Sequence, residues 1–486
     1  MVSLFSDDKP TPVYCNACWW SDSYEPKDFG QAVDLNRSFC DQLKELMDKV
    51  PELTIQNDDG VGSVNCAYCQ DFAFGKNCYF VIGTWYTEDS FYSDMNANYN
   101  KWVGDCGNIS HSELCYECLD SQRLYHCAFV QDSENCSDCF FGFDLKGCRN
   151  CFGCIGLRQK EFHIFNQPFT EENYEKEMMK WKLSSFSGLE NIKDKYFEWI
   201  MKFPRKNVNM QNCENTFGNY NFNCKDSYGF GLINAEGSRY CDQGYGNKFC
   251  YDIFNSGNPQ WCYEGLVPDN SYESHFNWFT WKDKYVHYSL NCHSSENLFG
   301  CVALRRQKYC ILNKQYTKEE YEELVPKIIE RMKVDQEWGQ FFPTKMSYFS
   351  YNETVANELF PLTKEAAIMN GFTWKETNPK KYGQQTCLIQ DDISDVPDAI
   401  SKEILACVDC RKNFKVIAAE LAFYRKMQIP IPRKCPDCRH HQRLLYRTPY
   451  KLWTRMCARC QTPNQTSYAP DRSEIVYCEA CYLNTI

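Results

Sequence analysis

Cysteine recurs at a fixed interval through the middle of this chain. Cys106, Cys127 and Cys148 lie 21 residues apart, and so do Cys115 and Cys136, Cys118 and Cys139, and Cys241 and Cys262. Cys250, Ser271 and Cys292 keep the same interval. Within the series the steps alternate between 9 and 12, as in Cys106, Cys115, Cys127, Cys136 and Cys148. A fixed period of this size signals a solenoid, in which each repeat is buried only by stacking on its neighbours. The intervening segments are rich in Gly, Asn, Asp, Phe and Tyr and lack helical periodicity. At roughly 3.3 Å per residue, about 21 residues can pass once around a three-sided β-helix. The expected fold is therefore mainly β, with two β-helix-like solenoids of about 21 residues per rung.

Inside such a coil equivalent side chains stack, and a buried free Cys serves as a small apolar filler. Asn at the bends tolerates left-handed backbone. A metal reading competes with this core ladder. Cys115 and Cys118 could join Cys136 and Cys139 around one ion, and Cys148, Cys151 and Cys154 look like half of an iron–sulfur motif. An internal copy favours the ladder: Asn150 to Arg158 aligns without gaps on Asn297 to Arg305, and Leu298 stands where Cys151 does. The copy continues from Phe165–Thr170 to Leu312–Thr317, so each half is a solenoid followed by a helix. Thr317 and Glu320 make a capping box, and Thr170 can cap the first of these helices. A further helix over Leu35 to Val50 is expected to cap the start of the first solenoid.

All eight cysteines after residue 400 lie in C-x-x-C pairs: Cys407/Cys410, Cys435/Cys438, Cys457/Cys460 and Cys478/Cys481. Zinc takes four soft ligands in a tetrahedron, and each C-x-x-C turn offers two, so two separate zinc ribbons are expected with Zn²⁺ as cofactor. Val13 to Cys18 is similar to Val476 to Cys481, which makes Cys15 and Cys18 the second knuckle of a ribbon without its first. The missing ligands could come from Cys66 and Cys69, from Cys40, or from another chain, with Cys66 and Cys69 the first choice. The chain then divides into a zinc knuckle and capping helix (1–55), first solenoid (56–168), helical cap (169–206), second solenoid (207–315), helical cap (316–345), linker (346–400), ribbon 1 (401–448) and ribbon 2 (449–486).

The net charge of −11 is unevenly placed. Residues 401–486 hold 15 of the 53 basic and 7 of the 64 acidic residues, a net of +8, which leaves −19 on the rest. A basic tail either meets an external anion, nucleic acid above all, or docks on its own acidic body. For nucleic acid the candidate residues are Arg411, Lys412, Arg433, Lys434, Arg439, Arg443, Arg447 and Arg455, with Tyr424, Tyr446, Tyr450 and Trp453 as stacking rings. The alternative for those rings is the ribbon cores.

The tail also carries a resemblance. Cys407–Phe414, Glu420–Lys426 and Ile429–Arg439 are similar to the "probable zinc-ribbon domain" family, and Thr466–Arg472 with Ile475–Tyr482 looks like a second ribbon. Ser350–Thr354, Phe360–Thr363, Gly371–Trp374 and the Asn-Cys-Tyr rungs resemble long cysteine-rich proteins of environmental bacteria and large viruses. The resemblance implies zinc binding and a solenoid-plus-ribbon plan, and no activity.

No catalytic signature accompanies these motifs: there is no Gly-rich phosphate loop, no H-E-x-x-H and no G-x-S-x-G. The expected function is a non-catalytic, zinc-stabilised structural or docking protein whose partner is another protein or a second copy. The alternative is a nucleic-acid-binding protein, and a third reading is a β-helix enzyme acting on acidic polysaccharide. Neither a signal peptide nor an uncharged transmembrane stretch is evident, and no membrane partner is expected. That points to the reducing cytoplasm, or to a virion component if the source is viral.

Overall fold

The computed structural model describes residues 2–56, 62–94, 98–376 and 381–486. Two parallel β-coils form its centre. In the first, Cys115 pairs with Cys127, Ala128 with Phe140, and Phe140 with Phe152. Each residue stacks on the one 12 positions later, so the expected rung of about 21 residues is corrected to 12. Twenty-one residues make one turn plus three-quarters of the next, and cysteines at that spacing line different columns.

A 12-residue rung has four sides of three residues. Left-handed backbone recurs at every third position: Leu114, Glu117, Asp120 and Arg123 in one rung, then His126, Phe129, Asp132 and Asn135 in the next. The residue after each corner points inward and is buried, giving Cys115, Cys118, Ser121 and Leu124, then Cys127, Val130, Ser133 and Cys136. Left-handed backbone suits Asn, Asp and Gly. Aromatic residues at corners stack on their neighbours instead, as Phe129 on Phe141 at 4.6 Å between ring centres.

The same geometry explains the cysteines. On each side two backbone N–H groups reach adjacent rungs, such as Ala128 to the Cys139 carbonyl (3.1 Å) and Glu117 to the Gly104 carbonyl (3.1 Å). The third, on the inward residue, donates to the inward side chain one rung back: Ser133 N to Ser121 Oγ (3.0 Å), Leu124 N to Ser112 Oγ (3.1 Å), Cys118 N to Cys106 Sγ (3.4 Å). Those side chains donate in turn to the carbonyl two residues earlier, as Ser121 does to Leu119 (2.7 Å) and Cys127 to Tyr125 (3.4 Å). Buried N–H groups need partners. Cysteine offers a small, largely apolar body with a weak donor and a weak acceptor.

The second coil repeats the plan, with Ile253, Gly265 and Asn277 in one column. Turns of 11 residues begin it (Glu214 to Lys225), and turns of 13 occur in the first coil (Glu88 to Lys101). Each coil ends in an antiparallel hairpin, His163 with Pro168 and Cys310 with Gln315. The internal copy is exact in its contacts. Asn166 and Asn313 share φ 62° and accept from Ile155 N (2.9 Å) and Val302 N (2.8 Å). The helices that follow, Glu171–Met178 and Lys318–Val334, place Tyr174 on Phe162 and Tyr321 on Tyr309.

The N-terminal helix, Phe39–Met47, does not cap the start of the first coil. Its Phe39 ring lies 5.1 Å from Phe299 and 6.5 Å from Tyr288 on the outside of the second coil, and Glu337 accepts from Phe39 N at 3.0 Å. The coils lie side by side in opposite directions: Asn255 donates to Asp71 (3.0 Å), and Tyr220 donates to Asp132 (2.8 Å). Among the described residues no helix is long and apolar enough to cross a membrane.

Candidate metal centres and the docking face of the ribbons

Each C-terminal ribbon is built from a hairpin and a helix. In ribbon 1, strand Leu405–Ala406 pairs with Asn413–Phe414, and the turn between them carries Cys407 and Cys410. Cys435 caps the helix Pro436–Tyr446, and Cys438 lies in its first turn. The four sulfurs lie within 4.8 Å of one another, Cys410 and Cys435 at 3.7 Å. In ribbon 2, Trp453–Met456 pairs with Pro463–Thr466 and positions Cys457 and Cys460, while Cys478 caps the helix Glu479–Leu483 that holds Cys481. These four sulfurs also lie within 4.8 Å, Cys460 and Cys478 at 3.8 Å. Both groups can hold a metal ion.

The turns ready Cys407 and Cys457 for ligation, whereas burial and the neighbouring thiols raise Cys435, Cys438 and Cys481. Burial opposes charge on Cys407, but backbone N–H groups of Cys410 and Cys435 aim at its sulfur and bring the thiol down to about 7. Cys457 is brought to about 6 by the equivalent donors, Cys460 and Cys478, again against burial. Thiolate is the form that binds metal.

Cys15 and Cys18 are not completed by Cys66 and Cys69, which corrects that expectation. Among the described residues only the two C-terminal groups gather three or more potential ligands. Cys66 and Cys69 occupy inward positions of the first coil, where Cys66 donates to the Val64 carbonyl and Cys69 to the Ala67 carbonyl. The possible clusters at Cys115, Cys118, Cys136 and Cys139 and at Cys148, Cys151 and Cys154 do not gather either. Their thiols are buried; Cys115 and Cys139 share a column two rungs apart, with Cys118 and Cys136 in two others, and Cys148, Cys151 and Cys154 line three different columns.

Three basic residues of the tail, Arg439, Arg443 and Arg447, face inward, while Arg411, Lys412, Lys415, Lys426, Lys451 and Arg459 are exposed. One side of the Pro436–Tyr446 helix lies on the first coil. Arg439 Nε is 2.9 Å from Asp105 Oδ2, and Arg443 Nη1 is 2.9 Å from Asp105 Oδ1. Arg447 grips Asp120 with two bonds, at 2.8 and 3.0 Å. His440 lies between Asp94 (2.8 Å) and Glu358 (3.0 Å). Of the remaining candidates, Lys412 pairs with Asp437, and Lys434 with Asp409 at 2.9 Å. Arg433 donates to the Gln390 carbonyl (2.6 Å) and covers the Phe186 ring, and Arg455 donates to the Ala469 and Glu474 carbonyls. Arg411 is exposed. Tyr424 is buried and donates to Glu420 (2.7 Å), Tyr446 stacks on Phe197, and Tyr450 stacks on Phe230. Asp105, Asp120 and Asp94, which receive the tail, carry no local sequence signal beyond their acidity.

Ribbon 2 docks separately. Its strand Val476–Tyr477 pairs in parallel with Arg205–Lys206, between the two coils. Tyr482 donates to Asp144 of the first coil, and Thr466 to the Asn207 carbonyl (2.8 Å).

A cleft of about 660 Å³ opens between the two coils and the N-terminal knuckle. Trp20, Trp85 and Trp281 line it together with Asp71, Asp269, Lys282, Arg305 and Arg306. Burial and the Asp71 charge push the Asp269 carboxyl up to about 7.

No family model matches the chain, and no curated protein matches it. Among solved structures, a "putative acetyltransferase" from Desulfovibrio desulfuricans G20 is similar over 51% of this chain and 70% of that chain, at 11% identity and a TM-score of 0.13. A likeness of that size carries no argument about fold or activity.

Proposed function

We propose that this protein is a non-catalytic, zinc-stabilised scaffold that docks another protein or a second copy of itself in a reducing intracellular compartment. The observation that carries the reading is the burial of Arg439, Arg443 and Arg447 against Asp105 and Asp120. Charge neutralised inside the molecule is not offered to phosphates, which disfavours the tail as a nucleic-acid reader. Zinc is the metal assigned, because four thiolates from two C-x-x-C turns match its tetrahedral preference and the tail resembles zinc ribbons. Free thiols throughout fit the compartment. Exposed aromatic columns, Phe74 with Tyr86 and Tyr99 on one coil and Phe249 with Trp261 on the other, supply faces for a partner.

Cross-linking and mass spectrometry of the natively purified protein test this reading. Recovery of protein cross-links on the coil faces supports it. Tight binding of a mixed-sequence DNA or RNA oligomer, falling steeply with salt, overturns it in favour of the nucleic-acid reading.

One observation favours a second reading, a β-helix enzyme or binder acting on acidic polysaccharide. The cleft combines tryptophan rings, cationic Lys282 and Arg306, and the Asp71–Asp269 pair, one of whose members can hold a proton near neutrality. Incubation with polygalacturonate tests it. Chain shortening lost in Asp269→Asn would establish the enzyme, and unchanged polymer with no binding would remove this reading.

A further inference from the structure

Cys15 and Cys18 have the form of a completed ribbon's second knuckle. Cys15 caps the helix Asn16–Trp20 with φ −65° and ψ 161°. Cys435 has φ −65° and ψ 161°, and Cys478 has φ −63° and ψ 161°. Cys18, Cys438 and Cys481 all occupy the third position of the helix that follows. The strand before the knuckle matches as well. Val13–Tyr14 pairs in parallel with Glu52–Leu53, as Val476–Tyr477 does with Arg205–Lys206. In both C-terminal cases this geometry belongs to a four-sulfur group.

The knuckle is held firmly. Trp19 is fully buried and donates from Nε1 to the Pro51 carbonyl at 3.0 Å. Trp20 stacks on His293, and the Arg305 guanidinium lies over both indoles. Its sulfurs nevertheless find no further ligand among the described residues. Cys66 and Cys69 face the coil interior, and Cys40 is buried beside Glu337. Cys18 is exposed.

We propose that two copies of this chain share one zinc ion through Cys15 and Cys18 of each, forming a two-fold homodimer. The inference rests on the reading of the C-terminal ribbons as zinc sites. Zinc needs four ligands, and one C-x-x-C turn supplies two. Two such turns related by a two-fold axis through the ion give a tetrahedron, and an isologous contact of this kind closes at two subunits. The knuckle's rigid seat and outward sulfur let it present both ligands without rearrangement.

Native mass spectrometry of the full-length protein, purified reduced with zinc, reads mass and metal together. The expected species is a dimer with about five zinc ions, two per chain in the ribbons and one shared. Cys15→Ser/Cys18→Ser should be a monomer that keeps about two. Cys18→Ser alone should also be monomeric, with an unchanged far-UV spectrum. A wild-type monomer with two zinc ions overturns the inference and leaves the ribbon reading intact. A monomer with three overturns it by showing a site completed within one chain, and a dimer that survives the double substitution overturns it too. A zinc count near zero overturns the ribbon reading and this inference with it.

Discussion

Arg443 and Asp105 meet across more than three hundred residues of sequence, with Nη1 2.9 Å from Oδ1 and both side chains almost wholly buried. The second Asp105 oxygen takes Arg439 at 2.9 Å, so one carboxylate of the first coil anchors two arginines of the ribbon helix. Asp120 does the same for Arg447 one rung later. A pair this deeply buried contributes less net stability than its Coulomb attraction suggests, since both charges were desolvated to form it. It is far less tolerant of losing one member, and it fixes where the ribbon sits.

The metal groups should behave as folding units. Elemental analysis of reduced protein is expected to find about two zinc ions per chain in the ribbons, and Cys438→Ser should lose about one. Ribbon 1 should then unfold while the coils keep their β signal, because the ribbon's small core depends on its metal. Protein that retains its full zinc count after Cys438→Ser would show that the ion lies elsewhere.

Interior positions of the coil should separate into two classes under substitution. Cys127→Val removes a weak S–H donor to Tyr125 and a weak sulfur acceptor for the Cys139 N–H, and should cost about 1 kcal/mol in urea unfolding because sulfur is a poor partner in both roles. Ser121→Val should cost more, about 1–3 kcal/mol, because it strips the Ser133 N–H of its buried acceptor. Cys127→Asp would bury an unpaired charge and disrupt several rungs. Equal costs for the first two would contradict the hydrogen-bonding account of the column.

The contact between the coils should depend on pH through Asp132. Burial, reinforced by the neighbouring Asp120 and Asp144 carboxylates, pushes its carboxyl up to about 8. The folded state thus holds the proton more tightly than the unfolded chain does. This group's contribution is greatest below about pH 4 and is lost as pH rises through about 8. Asp132→Asn keeps an acceptor for Tyr220 and should flatten that slope, gaining roughly 2 kcal/mol or more on wild type between pH 5 and pH 9. Parallel stability profiles for the two proteins would show that Asp132 is ionised in the fold.

Much of this architecture is legible in the sequence, and the failures have physical causes. The C-x-x-C pairs identify both ribbons because metal ligation demands that spacing. The coils are visible because small side chains recur, but their period is not. Ser, Val, Leu and Gly replace Cys inside, as at Val103, Val130 and Gly142, so cysteine alone shows the 12-residue columns incompletely. Asn65-Cys66 and Asn77-Cys78, 12 apart, carry the true interval, with Asn at the left-handed corner and Cys inside. The charge asymmetry foretells a tail that meets an acidic surface, yet Asp105 looks like any other corner aspartate. The seat of the Phe39–Met47 helix is set by Phe299 and Tyr288 of the distant coil, which no local pattern reveals.

The central claim is that ribbon 1 is locked to the first coil by buried arginines on one aspartate. Hydrogen exchange of the Pro436–Tyr446 helix amides in full-length, metal-loaded protein tests it most directly. They should be strongly protected in wild type. In Asp105→Ala they should exchange much faster with both ribbon metals retained, because leaving Arg439 and Arg443 buried without their partner costs about 3–5 kcal/mol. Rapid exchange in wild type, or protection unchanged by Asp105→Ala, would contradict the account.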